Sequence, residues 1–147
     1  MGYILDNLVK SFPPNSELPA LPLFVYGTLR VNGSLHNLLE PYILGKEENV
    51  YVNGSLYSST QGLWPVVVLG TSQRTIGSLL YLKPEQNLIS NIVKEELLWG
   101  YDLTWTDVFT RSSGEIHSKA LVCSWSSEKF LGSFIASGDW FEYLESN

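Results

Sequence analysis

Glu96 is the residue of this sequence whose position most clearly suggests acid or base chemistry. Residues 84–99 predict a helix that opens with Pro84 at its first position and Glu85 in its first turn. On a helical wheel the apolar side chains form one face, and Glu96 falls in the middle of that face. A carboxylate directed toward a core is costly unless it is paired, hydrogen-bonded or neutralised, so Glu96 is a candidate acid/base. The alternative is a helix that frays before Trp99, or one that aims Glu96 at the solvated rim.

A second candidate is a loop that follows a short apolar run ending at Val25. The loop consists of Tyr26, Gly27, Thr28, Leu29 and Arg30. Gly27 permits a sharp turn, and such a turn can direct several backbone N–H groups at one point, where they would hold an anion. Arg30 could pair with a substrate carboxylate. A plain turn at Gly27 and a structural ion pair at Arg30 are the alternatives.

Metal and thiol chemistry find little support. His36 and His117 are far apart, and no H-x-x-x-H or His-Cys spacing indicates a metal ligand set. Cys123, the only cysteine, lies in a strand-like run where we expect a small buried hydrophobe. A single cysteine excludes an intrachain disulfide and fits a reducing cytoplasm. We therefore expect no metal and no cofactor.

The elements that must position these residues are mostly short strands. Strands are predicted at 23–26, 50–57, 65–69, 75–82, 105–111 and 117–125, each bounded by Gly, Ser, Asn or Pro. Helices at 34–40 and 84–99 complete the pattern, so the fold class is α+β. The four prolines of residues 11–22 exclude a helix interior or a central strand. We assign residues 1–22 to an N-terminal arm and 23–147 to a single domain.

Composition narrows the class of protein. The chain has 147 residues, 44% of them hydrophobic, which fits one globular domain. Its net charge is -6 and it carries no basic run, which argues against binding nucleic acid. No stretch approaches the ~20 apolar residues that span a bilayer, and the start lacks the basic flank of a signal peptide. We expect a cytoplasmic protein with neither nucleic acid nor membrane as a partner.

Several short motifs follow one another in a distinctive order and spacing. They are FVYGTLR at 24–30, GSLY at 54–57, WPVVV at 64–68, IGSLLY at 76–81 and IASGDW at 135–140. The first resembles the VYGTLR strand and loop of the gamma-glutamylcyclotransferase-like family. The others resemble the G-x-L-Y, Y-P-A-x-V, V-x-G-x-L-Y and S-G-D-W elements of that family. The resemblance extends over roughly residues 22–142.

The resemblance implies a small mixed β-barrel of about six strands flanked by helices. It also implies an enzyme in which the α-amine of a γ-glutamyl compound attacks its own γ-carbonyl, releasing 5-oxoproline and a free amine without metal or cofactor. A glutamate relays the proton, and this role falls to Glu96. The residues expected to bind the substrate are Tyr26, Gly27, Thr28, Leu29, Arg30, Trp64 and Tyr101, with Trp99 also near the cavity. The expected partner is the small γ-glutamyl molecule, and a homodimer is compatible with this interpretation.

One departure from the family pattern keeps a second function open. In much of the family the glutamate directly precedes a glycine, whereas here Trp99 precedes Gly100. Glu96 lies three residues before Trp99 and projects from nearly the same side of a continuing helix. If the helix ends before Trp99, the cavity binds a ligand without turnover. The alternative is therefore a non-catalytic small-molecule binding or interaction protein that kept the fold.

Overall fold

The computed structural model describes residues 20–83, 101–126, 129 and 131–146. Within these residues the chain forms six strands and one α-helix. They are β1 (Leu21–Val25), β2 (Ile43–Ser59), β3 (Pro65–Leu82), β4 (Asp102–Thr110), β5 (Ile116–Ser124), β6 (Leu131–Phe134) and α1 (Trp140–Ser146). Two 3₁₀ turns, His36–Leu38 and Glu40–Tyr42, lie between β1 and β2.

Five of these strands close into a barrel, and the sixth lies outside it. The strands follow the order β3-β1-β5-β4-β2, and β2 also pairs with β3, which closes the ring. β1 and β5 run parallel, with Leu23 opposite Leu121, and the other pairs are antiparallel. β6 extends the sheet by pairing with β2. The predicted α+β class and small mixed β-barrel are confirmed.

β1 is buried on both faces because its alternate side chains enter two different cores. Leu21, Leu23 and Val25 pack in a smaller cluster with leucines of β3 and β5. Phe24 and Tyr26 pack in the larger cluster of the barrel. This alternation follows from the two-residue period of a strand. It explains the continuous apolar run of β1 and holds the start of the Tyr26 loop between two packed layers.

The strands predicted at 65–69 and 75–82 are parts of one long strand, β3. The residues between them form a bulge, because Asn53 of β2 lies opposite Arg74 whereas its neighbour Gly54 lies opposite Leu69. A bulge adds residues to one strand without ending its pairing with the other. The prediction of two separate strands is therefore wrong.

The hairpin of β2 and β3 also begins earlier than the sequence predicts. β2 starts at Ile43 rather than at residue 50, and its exposed polar residues continue the pairing with β3. The segment 34–40 forms 3₁₀ turns instead of one helix, and Pro41 lies within the first two positions of the second turn. A residue that precedes proline is disfavoured in the α region, which limits an α-helix here.

The C-terminal helix α1 covers one part of the barrel. Its first residue, Trp140, is 1% exposed and belongs to the barrel core. Phe141 donates its backbone N–H to Asp139 Oδ1 at 3.0 Å, so Asp139 caps the helix. The helix predicted at 84–99 and most of the predicted arm lie outside the described residues. Among the described residues, no helix is both long and apolar enough to cross a membrane.

Candidate functional site

A cavity of about 270 Å³ opens where β1 runs into the Tyr26 loop. It lies beside the start of β3, the residue before β4 and the end of β5. Its lining consists of Phe24, Val25, Tyr26, Gly27, Thr28, Leu29, Trp64, Pro65, Tyr101 and Cys123. These residues are mostly apolar or aromatic, and no charged side chain is among them. A site of this kind encloses the apolar part of a small molecule and orients it through a few polar groups.

Three backbone hydrogen bonds fold the Tyr26 loop back on itself. Arg30 donates to Gly27 O at 3.1 Å, Gly33 to Arg30 O at 2.7 Å, and Leu35 to Thr28 O at 2.9 Å. A Cβ atom on Gly33 would overlap the carbonyl of Thr28, so only glycine fits at this position. The loop therefore has a defined shape before any ligand arrives.

The backbone N–H groups of Thr28 and Leu29 have no hydrogen-bond acceptor among the described residues. Both residues line the cavity. Two unpaired N–H donors on one turn suit an oxygen of a carboxylate or of a developing oxyanion. The turn at Gly27 is present, and anion binding by its N–H groups stays a prediction.

Gly27 lies against the ring of Pro65, across the cavity wall. A Cβ atom at residue 27 would lie 2.9 Å from Pro65 Cγ and 3.3 Å from Pro65 Cδ. These separations are tighter than ordinary van der Waals contacts, so the loop or the proline would have to move. Glycine at this position therefore lets the loop approach the first residue of β3.

Replacing Gly27 with alanine should raise the KM of a cavity ligand several-fold, because the loop must shift away from Pro65. Unfolding by denaturant should change little, since Gly27 is half-buried and lies outside the strands. Steady-state kinetics or ligand titration on the Gly27→Ala variant measures this effect. Gly62→Ala is the matched control for alanine substitution, because a Cβ at residue 62 meets no atom, although its φ of 73° adds local strain.

Two tyrosines fix the aromatic walls of the cavity. Tyr26 donates its hydroxyl to the backbone carbonyl of Cys123, which ties the loop to the end of β5. Tyr101 donates to the carbonyl of Pro65 at 2.7 Å, and its ring meets that of Trp125 edge to face at 5.4 Å. A hydrogen bond at the polar end holds each ring in one orientation, which favours a preformed cavity.

Arg30 does not line this cavity. Its Nη1 donates to Asp139 Oδ1 at 2.8 Å, and its guanidinium lies 4.1 Å from the centroid of the Phe141 ring. The Arg30 side chain is only 11% exposed and that of Asp139 22%. Arg30 therefore connects the far end of the Tyr26 loop to the start of α1, as the structural alternative predicts. Its predicted contact with the substrate is not part of the described geometry.

The carboxyl group of Asp139 is held ionised by this arrangement. Burial raises the pKa of Asp139, but the hydrogen bond and charge of Arg30 outweigh it, together with the N–H groups of Glu142 and Phe141. The net result is a pKa below the usual value of 3.8. Opposite charge and donated hydrogen bonds both favour the ionised carboxylate.

His36 supports the same loop from the first 3₁₀ turn. Its Nδ1 lies 2.9 Å from the carbonyl oxygen of Leu29, to which it donates when it carries the proton. Its Nε2 lies 2.9 Å from Glu40 Oε2, although the two atoms are not aligned for a hydrogen bond. His36 is thus a structural histidine.

The structure brings together six of the seven residues predicted to bind the substrate. Tyr26, Gly27, Thr28, Leu29, Trp64 and Tyr101 line the cavity. Glu96 and Trp99 lie outside the described residues. The predicted set leaves out four lining residues, Phe24, Val25, Pro65 and Cys123, and closure of the barrel brings Pro65 and Cys123 to the end of β1. Cys123 is half-buried at the cavity rather than fully buried.

Metal binding has no support from the described part of the chain. No group of three or more His, Cys, Asp or Glu side chains in it is arranged to hold a metal ion. The lining residues with polar atoms in their side chains are instead Tyr26, Thr28, Trp64, Tyr101 and Cys123. Such groups bind and orient a small organic molecule.

The fold and the cavity define a small mixed-barrel protein with a preformed site at the end of β1. The profile of the gamma-glutamyl cyclotransferase, AIG2-like family matches residues 23–142. The chain belongs to this family. No curated protein matches the chain.

Solved structures share the fold. An uncharacterized protein from Pyrococcus horikoshii is 26% identical, with a TM-score of 0.60 over 86% of this chain and 95% of its own. YkqA from Bacillus subtilis is also 26% identical, with a TM-score of 0.64, and the chain spans only 43% of its length. An AIG2-like protein from Mus musculus is 16% identical, with a TM-score of 0.58 over 82% of this chain and 88% of its own.

Proposed function

We propose that this protein is a cyclotransferase that converts a γ-glutamyl amine or peptide into 5-oxoproline and the free amine. Membership of the family and the barrel fold support this class of reaction. The observation that carries the proposal is the pair of unpaired N–H groups at Thr28 and Leu29, on the wall of a preformed apolar cavity. They are suited to hold the glutamyl carboxylate or the developing oxyanion while the substrate curls.

The reaction needs only proton transfer and positioning. The α-amine forms a C–N bond to the γ-carbonyl carbon of the same molecule, and the C–N bond to the leaving amine breaks. One proton leaves the attacking nitrogen and one is delivered to the departing nitrogen. Because the nucleophile belongs to the substrate, holding the chain in a curled form supplies much of the rate enhancement. No electron transfer occurs, so the chemistry requires no redox cofactor.

Glu96 is the proposed proton relay. The attacking amine must be neutral, and a free α-amino group has a pKa of ~7.7 to 8.0, so a nearby carboxylate removes its proton at modest cost. The same carboxyl group then protonates the leaving amine. No other carboxylate is proposed for this role, because the described lining of the cavity contains none.

The remaining lining residues have binding roles in this proposal. Trp64, Pro65 and Tyr101 provide an apolar wall that excludes water from the reacting carbonyl and accommodates the leaving group. Arg30 is engaged with Asp139. Recognition of the substrate carboxylate therefore falls to the backbone of the Tyr26 loop. The acidic net charge and the lone cysteine support a protein of the reducing cytoplasm that does not bind nucleic acid.

Release of 5-oxoproline from a panel of γ-glutamyl amines and peptides tests the proposal. We expect at least one compound to yield 5-oxoproline and free amine in equal amounts. The N-acetyl derivative of the same compound is the matched control, because it keeps the amide but lacks the nucleophilic amine. Binding of the panel without any product would contradict the proposal and favour the non-catalytic binding protein that the Trp99-Gly100 departure supports.

A further inference from the structure

A second concavity, of about 470 Å³, lies where the bulge of β3, the turn after β4 and the turn before α1 meet. Its lining consists of Tyr51, Ser72, Gln73, Arg74, Ile76, Arg111, Ala136 and Ser137. It shares no lining residue with the first cavity. Tyr101 and Arg111 flank opposite ends of β4, roughly 30 Å apart along the strand at about 3.3 Å per residue. The two sites are therefore separate.

Two arginines that pair with no carboxylate of the described residues line this concavity. Within the described part of the chain neither Arg74 nor Arg111 forms an ion pair, whereas Arg30, Lys46 and Lys119 each pair with an acidic side chain. The chain has more acidic than basic residues and a net charge of -6, so a shortage of carboxylates does not explain why these two arginines lack an acidic partner among the described residues. Two like charges in one concavity favour the binding of an anion.

Tyr51 supplies an independent polar group to the same concavity. The residue is 4% exposed, with its ring stacked on Phe109 at 5.4 Å and capped by the guanidinium of Arg74 at 4.5 Å. Its hydroxyl has no hydrogen-bond partner among the described residues. A polar group on a buried side chain is normally satisfied by protein, water or ligand. The hydroxyl is therefore a donor available to a molecule in the concavity.

The backbone holds the walls of the concavity in place. Ile76 donates to Gly138 O at 2.8 Å, and a Cβ on Gly138 would overlap the carbonyl of Arg74. Arg111 donates its backbone N–H to Asn49 O at 2.9 Å. Ser137 Oγ accepts the N–H of Asp139 at 3.3 Å, which leaves its hydroxyl proton available to a ligand. These contacts fix the backbone from which both guanidinium groups extend.

We propose that this concavity binds the phosphate group of a small organic molecule. Two guanidinium groups match the double negative charge of a phosphate monoester, and the hydroxyls of Tyr51, Ser72 and Ser137 supply further donors to its oxygens. A carboxylate offers one charge and two oxygens, and leaves more of these donors unused. The volume exceeds that of a phosphate ion, so the organic part of the ligand fits beside it.

Calorimetric titration with inorganic phosphate and with phenyl phosphate, at constant ionic strength in chloride, tests this site. We expect saturable binding of both at one site per chain, with the ester the tighter ligand. Arg74→Gln and Arg111→Gln should each weaken the affinity by ~10-fold or more, and Tyr51→Phe by a few-fold. Lys119→Gln is the charge-matched control, because its ammonium is exposed and outside the concavity, and should leave affinity within about two-fold.

Absence of saturable binding would overturn the proposal, and so would equal weakening in Lys119→Gln and the two arginine variants. The side chain of Arg111 makes no hydrogen bond or ion pair in the described structure, so Arg111→Gln carries the test if Arg74→Gln fails to fold. The titration requires no turnover. A chain that binds phosphate without releasing 5-oxoproline would support this site and contradict only the proposed reaction.

Discussion

Replacement of Glu96 with glutamine should lower the turnover of a γ-glutamyl substrate by ~10²-fold or more. Glutamine keeps the shape of the side chain and its capacity for hydrogen bonding, but it does not accept the proton of the attacking amine. Because binding of the extended substrate does not need that proton transfer, the KM should change much less than kcat. Steady-state release of 5-oxoproline by wild type and variant measures both constants.

Glu95→Gln is the matched control for this experiment. It makes the same chemical change one residue away, and Glu95 falls at the margin of the predicted apolar face, where a carboxylate solvates. We expect turnover within a few-fold of wild type. Similar small losses in both variants would contradict a catalytic role for Glu96. A large loss in Glu95→Gln alone would assign the proton relay to Glu95 instead.

The part of the first site formed by β1 and the Tyr26 loop could be predicted, because the residues that indicate the strand and the turn are contiguous in sequence. The apolar run of β1 predicts a buried strand, and Gly27 predicts the turn in which the N–H groups of Thr28 and Leu29 have no acceptor among the described residues. Pro65 and Cys123 carry no such signal. Cys123 reaches the cavity because β5 runs parallel beside β1, with Val122 opposite Phe24, a pairing between residues far apart in sequence.

The strand pattern predicted the α+β class and the family resemblance implied the barrel, but the register of the strands could not be predicted. The strand pattern is interrupted at residues 70–74, and such an interruption is equally consistent with a turn and with a bulge. Only the pairing of β2 with β3 shows that it is a bulge. β6 has four residues with a glycine and a serine, too short a pattern to identify. In contrast, α1 has a local signal, since Asp139 precedes an apolar-rich segment as an N-cap.

The contact between Arg30 and Asp139 illustrates why the role of an arginine is hard to predict. The two residues are 109 positions apart, and no local pattern indicates that they meet. In the closed barrel the carboxylate of Asp139 makes two kinds of contact. It caps α1 through Phe141 and neutralises a guanidinium that is 11% exposed. Substrate binding by Arg30 would require breaking this pair.

Replacement of Asp139 with alanine should therefore lower the free energy of unfolding by about 2 to 4 kcal/mol. Loss of the N-cap costs ~1 kcal/mol, and the rest arises because Arg30 stays mostly buried without a counter-ion. The full ~3–5 kcal/mol of a completely buried pair is not expected, since the Asp139 side chain is 22% exposed. Denaturant unfolding of wild type and variant at neutral pH measures the difference.

Asp139→Asn separates the two contributions, because asparagine also caps helices but carries no charge. The variant should be destabilised by about 1 to 3 kcal/mol, which is the part of the loss that the cap does not supply. Asp107→Asn is the control, since the pair of Asp107 with Lys119 is exposed and should contribute less than about 1 kcal/mol. Asn and Ala variants of equal stability would show that the cap contributes nothing.

The pH dependence of stability tests whether the charge of Asp139 is the source of this effect. The pKa of Asp139 in the folded protein is below the ordinary 3.8, so its ionised form stabilises the fold fully above that value. As the pH falls through the lower, folded-state pKa, the carboxylate is protonated and this contribution is lost. The unfolding free energies of wild type and Asp139→Asn should therefore converge at acidic pH. A difference that stays constant to pH values well below 3.8 would show that the ion pair with Arg30 does not stabilise the folded state.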